Sequence, residues 1–438
     1  MTAEIAILNK EAVALATDSA VTINQGNKIY NSANKLFTLS KFHPVGIMIY
    51  GGATFMQIPW ETIIKLFRCK LHDKKYKKLA DYANQFIRFL QKNEPNVTKE
   101  MQHVYVFVTL HGIYETVLNA ITKSRNEFLK THKIIELKDI RKIVSDEIYS
   151  LHTNWKKRKN IPKLPKQYKS RLYQEFKEEL TNAKRNVFEN LPVDKKSESK
   201  LKDLLYYALT KEIWPLSGSG IVIAGFGEGD LFPALVSYDI QSFVLGKLKY
   251  KTSQISKINS KNSGLIAPFA QNEMVFSFMD GIEKKYRSQL EQSINDLFLE
   301  FGELVINNIN SVKPLGKTKT QLLSQTKDVA KKISDGLKIG MKTYSEEYHS
   351  GPIMNSVSTL PKDELANMAE ALVNLTSFKR RVAFDQKETV GGPIDVAVIS
   401  KGDGFIWIKR KHYFKLEYNQ HFMRTYFNDK NNKVCKDE

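Results

Sequence analysis

The sequence predicts an α+β protein in which two antiparallel sheets are sandwiched between helices, with large helical insertions. Three observations predict it. Strand-like stretches fall into hairpin-linked groups, helical zones separate those groups, and the composition is that of a globular chain. The 438 residues have room for two or three domains, and 42% hydrophobic against 26% charged residues is ordinary.

The elements follow in order. Residues 3–51 contain "EIAIL", "AVALATD", "KIYNSANKLFTLS" and "VGIMIYGG", where Ile5, Ile7, Val13 and Leu15 alternate with smaller residues. A chain start normally frays, so a first strand at residue 3 suggests an N-terminus with work to do. Residues 53–212 read as helices, with apolar residues at helical spacing in "QIPWETIIKLFRCKL" and "KKLADYANQFIRFLQK". "GIVIAGFGEGDLFPALVSYDI" reads as strand, turn and strand, "SFVLGKLKYK" as a further strand, and "APFAQNEMVFSFMDGI" as a helix. Residues 284–350 are helical and charged. "LPKDELANMAEALVNLTS" is a helix with Pro361 in its first turn, and "GGPIDVAVISKGDGFIWIKRK" gives two strands around a Gly-Asp-Gly turn.

This divides the chain into a first core part (1–68), a basic helical insertion (69–215), a second core part (216–285), a helical insertion (286–360), a closing helix and strand pair (361–411) and a tail (412–438).

Composition narrows the function. The net charge of +20 is concentrated in residues 120–205, for example Lys156-Lys157-Arg158-Lys159. It raises nucleic acid as a partner, but no reading motif organises it, and Lys-rich solvated helix faces are the favoured account. No run of about 18 apolar residues is found, so no transmembrane helix is expected, and the start lacks a secretory pattern. Cys69 and Cys435 stand far apart, which suggests a reducing compartment and argues against a zinc site. The nine histidines, His43, His103 and His132 among them, form no metal-type cluster. "GFGEGD" is followed by a strand, not by the helix a phosphate loop needs. The expectation is a cytoplasmic protein without metal, cofactor or membrane.

"VALATDSAVT", "ANKLFTLSKFHPVGIMIYGGATF", "IVIAGFGEGDLFPALVSYD" and "KDELANMAEALVNL" followed by "VGGPIDVAVISKGDGFIWI" together resemble the proteasome β-subunit and bacterial proteasome-like peptidase family of N-terminal nucleophile hydrolases. No single stretch is specific, but the four occur in the family's order over roughly 170 residues. The resemblance implies a four-layer αββα sandwich, an N-terminal threonine nucleophile and self-association.

Removal of Met1 ahead of a small residue leaves Thr2 first, with a hydroxyl nucleophile and a free α-amine as its base. That amine's ordinary pKa of about 7.7–8.0 suits a base near neutrality. The family sets an aspartate and a lysine beside this threonine; the matching residues here are Asp18 and Lys35, with Lys28 a rival in register. An ammonium there lowers the hydroxyl's pKa and disfavours protonation of the amine, and the aspartate orients it. Gly51 and Gly52 end a strand before a helix, where backbone N–H groups can face an oxyanion.

Two features depart from the family. Its supporting aspartate before the Gly391-Gly392 pair has only Asp385 or Glu388 as candidates. Its Ser-Gly-Ser has only a displaced Ser263, while the "SGSG" of 217–220 precedes the wrong strand. The expected activity is threonine-type hydrolysis of peptide or other amide bonds by a homo-oligomer. The alternatives are a small-molecule amidohydrolase, a non-catalytic scaffold subunit, and a nucleic-acid binder led by the basic insertion.

Overall fold

The computed structural model describes residues 3–23, 28–132, 134–189, 191–214, 218–312, 318–382, 390–412 and 414–421. The strands begin with β1 (Ala3–Asn9), β2 (Ala12–Thr17), β3 (Val21–Ile23), β4 (Lys28–Tyr30), β5 (Leu36–Thr38), β6 (Val45–Gly51), β7 (Thr54–Phe55) and β8 (Ile58–Pro59). Seven helices follow: α1 (Trp60–Leu71), α2 (Leu79–Gln91), α3 (Lys99–Thr131), α4 (Leu137–Lys156), α5 (Tyr168–Glu175), α6 (Lys177–Phe188) and α7 (Lys195–Thr210). Next come β9 (Ser219–Gly225), β10 (Ala234–Val244), β11 (Lys247–Lys257) and β12 (Gly264–Ala270). The chain continues through α8 (Glu273–Asp280), α9 (Lys284–Val312), α10 (Thr318–Ser345), α11 (Gly351–Thr359) and α12 (Lys362–Val382) to β13 (Asp395–Ser400) and β14 (Gly404–Lys409). The class is α+β, and the elements sort into two compact units, Met1–Ala33 with Lys257–Phe414 and Asn34–Ser256 with Lys415–Glu438.

The first unit holds a five-stranded antiparallel sheet in the order β12-β1-β2-β13-β14. Ala12, Ala14 and Ala16 of β2 point to the helical side, where their small size lets α12 lie close. That helix answers with Leu365, Ala366, Ala369, Leu372 and Val373, the spacing of one helix face. Asn9 ties the sheet to the end of α11. Its amide donates to the carbonyls of Val357 (3.2 Å) and Leu360 (2.8 Å), and its Oδ1 accepts from the N–H groups of Glu11 and Ala12 in the β1–β2 turn.

The second unit holds a five-stranded sheet in the order β11-β10-β9-β6-β5. Ile47, Ile49, Ile221, Ile223, Val236 and Tyr238 face α1 and α2, which contribute Trp60, Ile63, Phe67, Tyr82 and Phe86. A separate apolar cluster unites α3 with α4, α6 and α7 around Val106, Leu110, Ile113 and Leu204, and Val244 of β10 joins it. The boundary drawn at residue 69 falls inside α1, and α2 packs in the same cluster as α1.

Two expectations are corrected. "SFVLGKLKYK" is not one strand: Leu245 and Gly246, at φ 49° and 75°, turn the chain between β10 and β11. "APFA" belongs to β12 and not to a helix; Pro268 is tolerated because β12 is an edge strand. Among the described residues one helix, α3 with 33 residues, is long and apolar enough by length and composition alone to cross a membrane. Its apolar run contains few charges, which is why it meets that test, and its buried face carries the helical cluster.

Asn9→Ala should lower unfolding stability by about 2–3 kcal/mol, since the lost amide leaves buried backbone groups unpaired. Urea denaturation measures it, and a change within about 0.5 kcal/mol, typical of a neutral surface substitution, would contradict this role.

Candidate active site

The candidate residues fall into two groups, one in each unit. In the first, Asp18 follows β2 and is fully buried. Its Oδ1 accepts the N–H of Ala3 at 3.2 Å, and its Oδ2 accepts those of Ala20 at 3.3 Å and Gly391 at 3.1 Å. The N–H of Asp18 in turn donates to the Ala3 carbonyl at 3.1 Å. One carboxylate therefore joins the start of β1, its own turn and the Gly391-Gly392 corner before β13. Gly392 has φ 77°, and a methyl group there would lie 2.7 Å from Asn31 Cβ, so the corner needs glycine. Ser19 adds a second tie, its hydroxyl donating to the Pro393 carbonyl and its N–H to that of Gly391.

Thr2, Asp385 and Glu388 lie outside the described residues, as does Ser217. What is fixed is the position next to Thr2: Ala3 is 1% exposed, on a strand buried along its length.

Ser263 is at the wrong end of its strand. It precedes Gly264, which pairs with Asn9, whereas Ala3 pairs with Ala270, so the two ends of β12 are roughly 20 Å apart. Beside Ala270 stand Gln271, Asn272 and Glu273, and Arg380 Nε donates to Gln271 Oε1 at 2.6 Å. An acid does sit near the glycine pair, but downstream. Asp395, 2% exposed, is paired in register with Thr17 and takes the Lys411 ammonium and, at 2.8 Å, its N–H. With Glu4 opposite Thr17, residues 4, 17 and 395 form one buried polar row across the sheet. It lies after the glycine pair, whereas the resemblance implies an acid before it.

The second group contains Lys35, Gly51 and Gly52. Lys35 directly precedes β5, its carbonyl accepts the Ile49 N–H at 2.9 Å, and it is only 6% exposed. Few lysines are buried so deeply. The rival Lys28 sits on the β3–β4 ribbon, paired with Ile23, in the other unit. Gly51 ends β6 at φ 81°, and a methyl group there would meet the Gly218 carbonyl at 2.5 Å. The N–H of Gly52 donates to that same carbonyl at 3.3 Å, so this donor is engaged inside the corner. Ser219 locks the turn: Trp60 Nε1 donates to its hydroxyl at 2.8 Å, and the hydroxyl donates to the Gly52 carbonyl at 3.0 Å. The "SGSG" stretch thus supplies Ser219 as a support for the glycine corner, a role its position in the sequence did not reveal.

Away from both groups, the most perturbed amine among the described residues is Lys249 on β11. Its ammonium reaches the carbonyls of Ala208 and Ile213 and lies 4.9 Å over the Trp214 ring, and burial pushes its pKa down to about 7. Among the described residues no group of three or more His, Cys, Asp or Glu could hold a metal ion. No protein-family model matches the chain, and no curated protein matches its sequence.

Two predictions follow from these contacts. Asp18→Ala should cost about 3 kcal/mol, because three buried N–H groups lose their acceptor, and Asp18→Asn should cost less, since one oxygen remains. Equal stability of all three proteins in urea would remove the carboxylate from its joining role. For Lys249, the unfolded side chain stays protonated to about pH 10.4, while the folded one deprotonates near pH 7. The unfolded chain therefore binds more protons across that window, and this residue makes stability rise with pH from about 7 towards 10. Lys249→Met should flatten the rise; an unchanged slope would show that other groups cause it.

Proposed function

We propose that the chain is a threonine-type N-terminal nucleophile hydrolase, proteasome-like in architecture, that cleaves peptide or other amide bonds. The observation that carries this reading is the Asp18 carboxylate on the Ala3 N–H, at the head of a buried strand. Ala3, the residue after Thr2, is held by backbone contacts to an acid, and an amine and a hydroxyl on one residue need a strand fixed with that precision. The reading includes the four-layer αββα sandwich. It is supported by two antiparallel five-stranded sheets, each with helices packed on one face, whose strands β1, β2 and β9 are buried at every position. It also includes a cytoplasmic, self-associating enzyme that uses no cofactor.

In the mechanism, loss of Met1 frees the Thr2 amine. The Thr2 hydroxyl attacks the substrate carbonyl and its proton passes to that amine. The resemblance would give Lys35 the task of stabilising the developing alkoxide and of disfavouring protonation of the amine by like-charge repulsion, and Asp18 that of balancing a lysine. The same resemblance would give the oxyanion to backbone N–H groups near Gly51. The amine then protonates the leaving group, and water releases the acyl-enzyme.

A non-catalytic scaffold subunit is the second reading, favoured by one observation: the Gly52 N–H is already spent on Gly218. A private-pocket amidohydrolase keeps the chemistry and changes only the substrate. Nucleic-acid binding through the basic insertion stands behind both.

Thr2→Ala should abolish hydrolysis of a peptide or amide substrate with folding intact, and Thr2→Ser should retain part of it. Lys35→Ala should lower the rate by about 10²–10⁴-fold, while Lys28→Ala changes it little. Intact mass decides the premise: a protein that keeps Met1 has no free Thr2 amine, and the hydrolase reading would fall with it.

A further inference from the structure

The α9–α10 hairpin carries an apolar face of its own. On α9, Leu297, Phe301 and Leu304 are 64%, 63% and 55% exposed. They continue a row from Leu290 and Ile294 with alternating steps of four and three residues, the spacing of a coiled-coil seam. On α10, Val329, Ile333 and Leu337 are 53%, 45% and 42% exposed, and Tyr344 two turns further on is 59% exposed.

This face is not the seam between the two helices. There a methyl group on Gly302 would lie 2.1 Å from Thr326 Cγ2, and Ile306, Ala330 and Ser334 are buried. Nor is it the charged side of the hairpin. That side is a groove of about 610 Å³ lined by Glu291, Asp296, Lys327, Lys331, Asp335 and Lys338. At the foot of α10, Leu337, Met341 and Tyr344 line a separate, mainly apolar cavity of about 430 Å³. A long helix takes most of its stability from burying its apolar face, and here Leu297, Phe301 and Leu304 are left more than half exposed.

We propose that the α9–α10 hairpins of two copies of this chain pack through these faces into a four-helix bundle. Three observations choose a second copy as the occupant. The exposed side chains amount to on the order of 800 Å² per chain, the share each partner gives to a standard stable interface. The rows Leu290–Leu304 and Val329–Leu337 contain no charge at their seam positions, so a two-fold contact sets uncharged surface against itself and buries no unpaired ion. The same lack of charge leaves nothing for nucleic acid or an acidic peptide to grip. The groove side mixes acids with lysines and so lacks the single-sign rim that draws a helix onto anionic lipid. The proposal does not rest on the hydrolase reading; Thr2→Ala should assemble like the parent.

Sedimentation equilibrium of the full chain at micromolar concentration tests it. The expected mass is an even multiple of the 50.3 kDa chain. Phe301→Asp with Leu337→Asp should halve that mass while far-UV circular dichroism stays helical, and Lys331→Glu on the groove side should leave it unchanged. Hydrogen exchange of the parent covers the case in which the double variant misfolds: protection of α9 and α10 should fall on dilution in step with the mass. A monomeric parent, a folded double variant of unchanged mass, or protection indifferent to dilution would overturn the proposal. So would a monomer whose α9 and α10 gain protection only on phosphatidylcholine vesicles, which would make lipid the occupant.

Discussion

The Asp18 carboxylate accepts three backbone N–H groups from segments that are far apart in sequence, Ala3, Ala20 and Gly391. Charge-assisted hydrogen bonds of this kind are roughly twice as strong as neutral ones, and these are buried. They hold the first strand, the turn after the second and the approach to β13 in one place. The rest of the first sheet follows from that junction, because β1 and β2 set the register for β12 on one side and β13 on the other. A carboxylate does this better than a neutral side chain, since its two oxygens offer several acceptor directions and require no donor in return.

The second sheet solves a similar problem with glycine and serine. Gly51 and Gly218 approach too closely for any side chain, and Ser219 relays the Trp60 indole to the Gly52 carbonyl. The corner is thus rigid for reasons of space as well as hydrogen bonding. Gly220 serves the same strand end differently: a methyl group there would collide with the Tyr50 ring, whose hydroxyl reaches Asp239 at 3.1 Å.

Much of this was legible in the sequence, and the misses have physical causes. Alternation exposed β1 and β2, and apolar runs bounded by turn residues exposed β6, β9, β13 and β14. The β10–β11 turn was hidden because apolar Leu245 occupies a left-handed position where asparagine or glycine is usual. Pro268 disguised β12 because the edge position that excuses a proline is a fact of topology. In the candidate site, Asp18 was visible as the end of an alanine-rich strand, but its bond to Gly391 spans 373 residues and leaves no local trace. Ser219 and Asp395 were missed for the same reason, since each acts on a segment remote in the chain.

The order of pairing also sets an order of folding. All of the second sheet's strands lie between Leu36 and Lys257, so that sheet can close as soon as this stretch has been synthesised. The first sheet cannot: β1 waits for β12, and β2 for β13, whose residues come almost at the other end of the chain. At a synthesis rate of roughly 5–20 residues per second, the earliest hairpin remains without its second neighbour for about 20–75 s. During that time β2, an alanine-, valine- and leucine-rich edge, offers its backbone to any passing strand. The yield of soluble protein should therefore depend on translation speed and on chaperones that shield nascent β-edges, and far less on conditions after release.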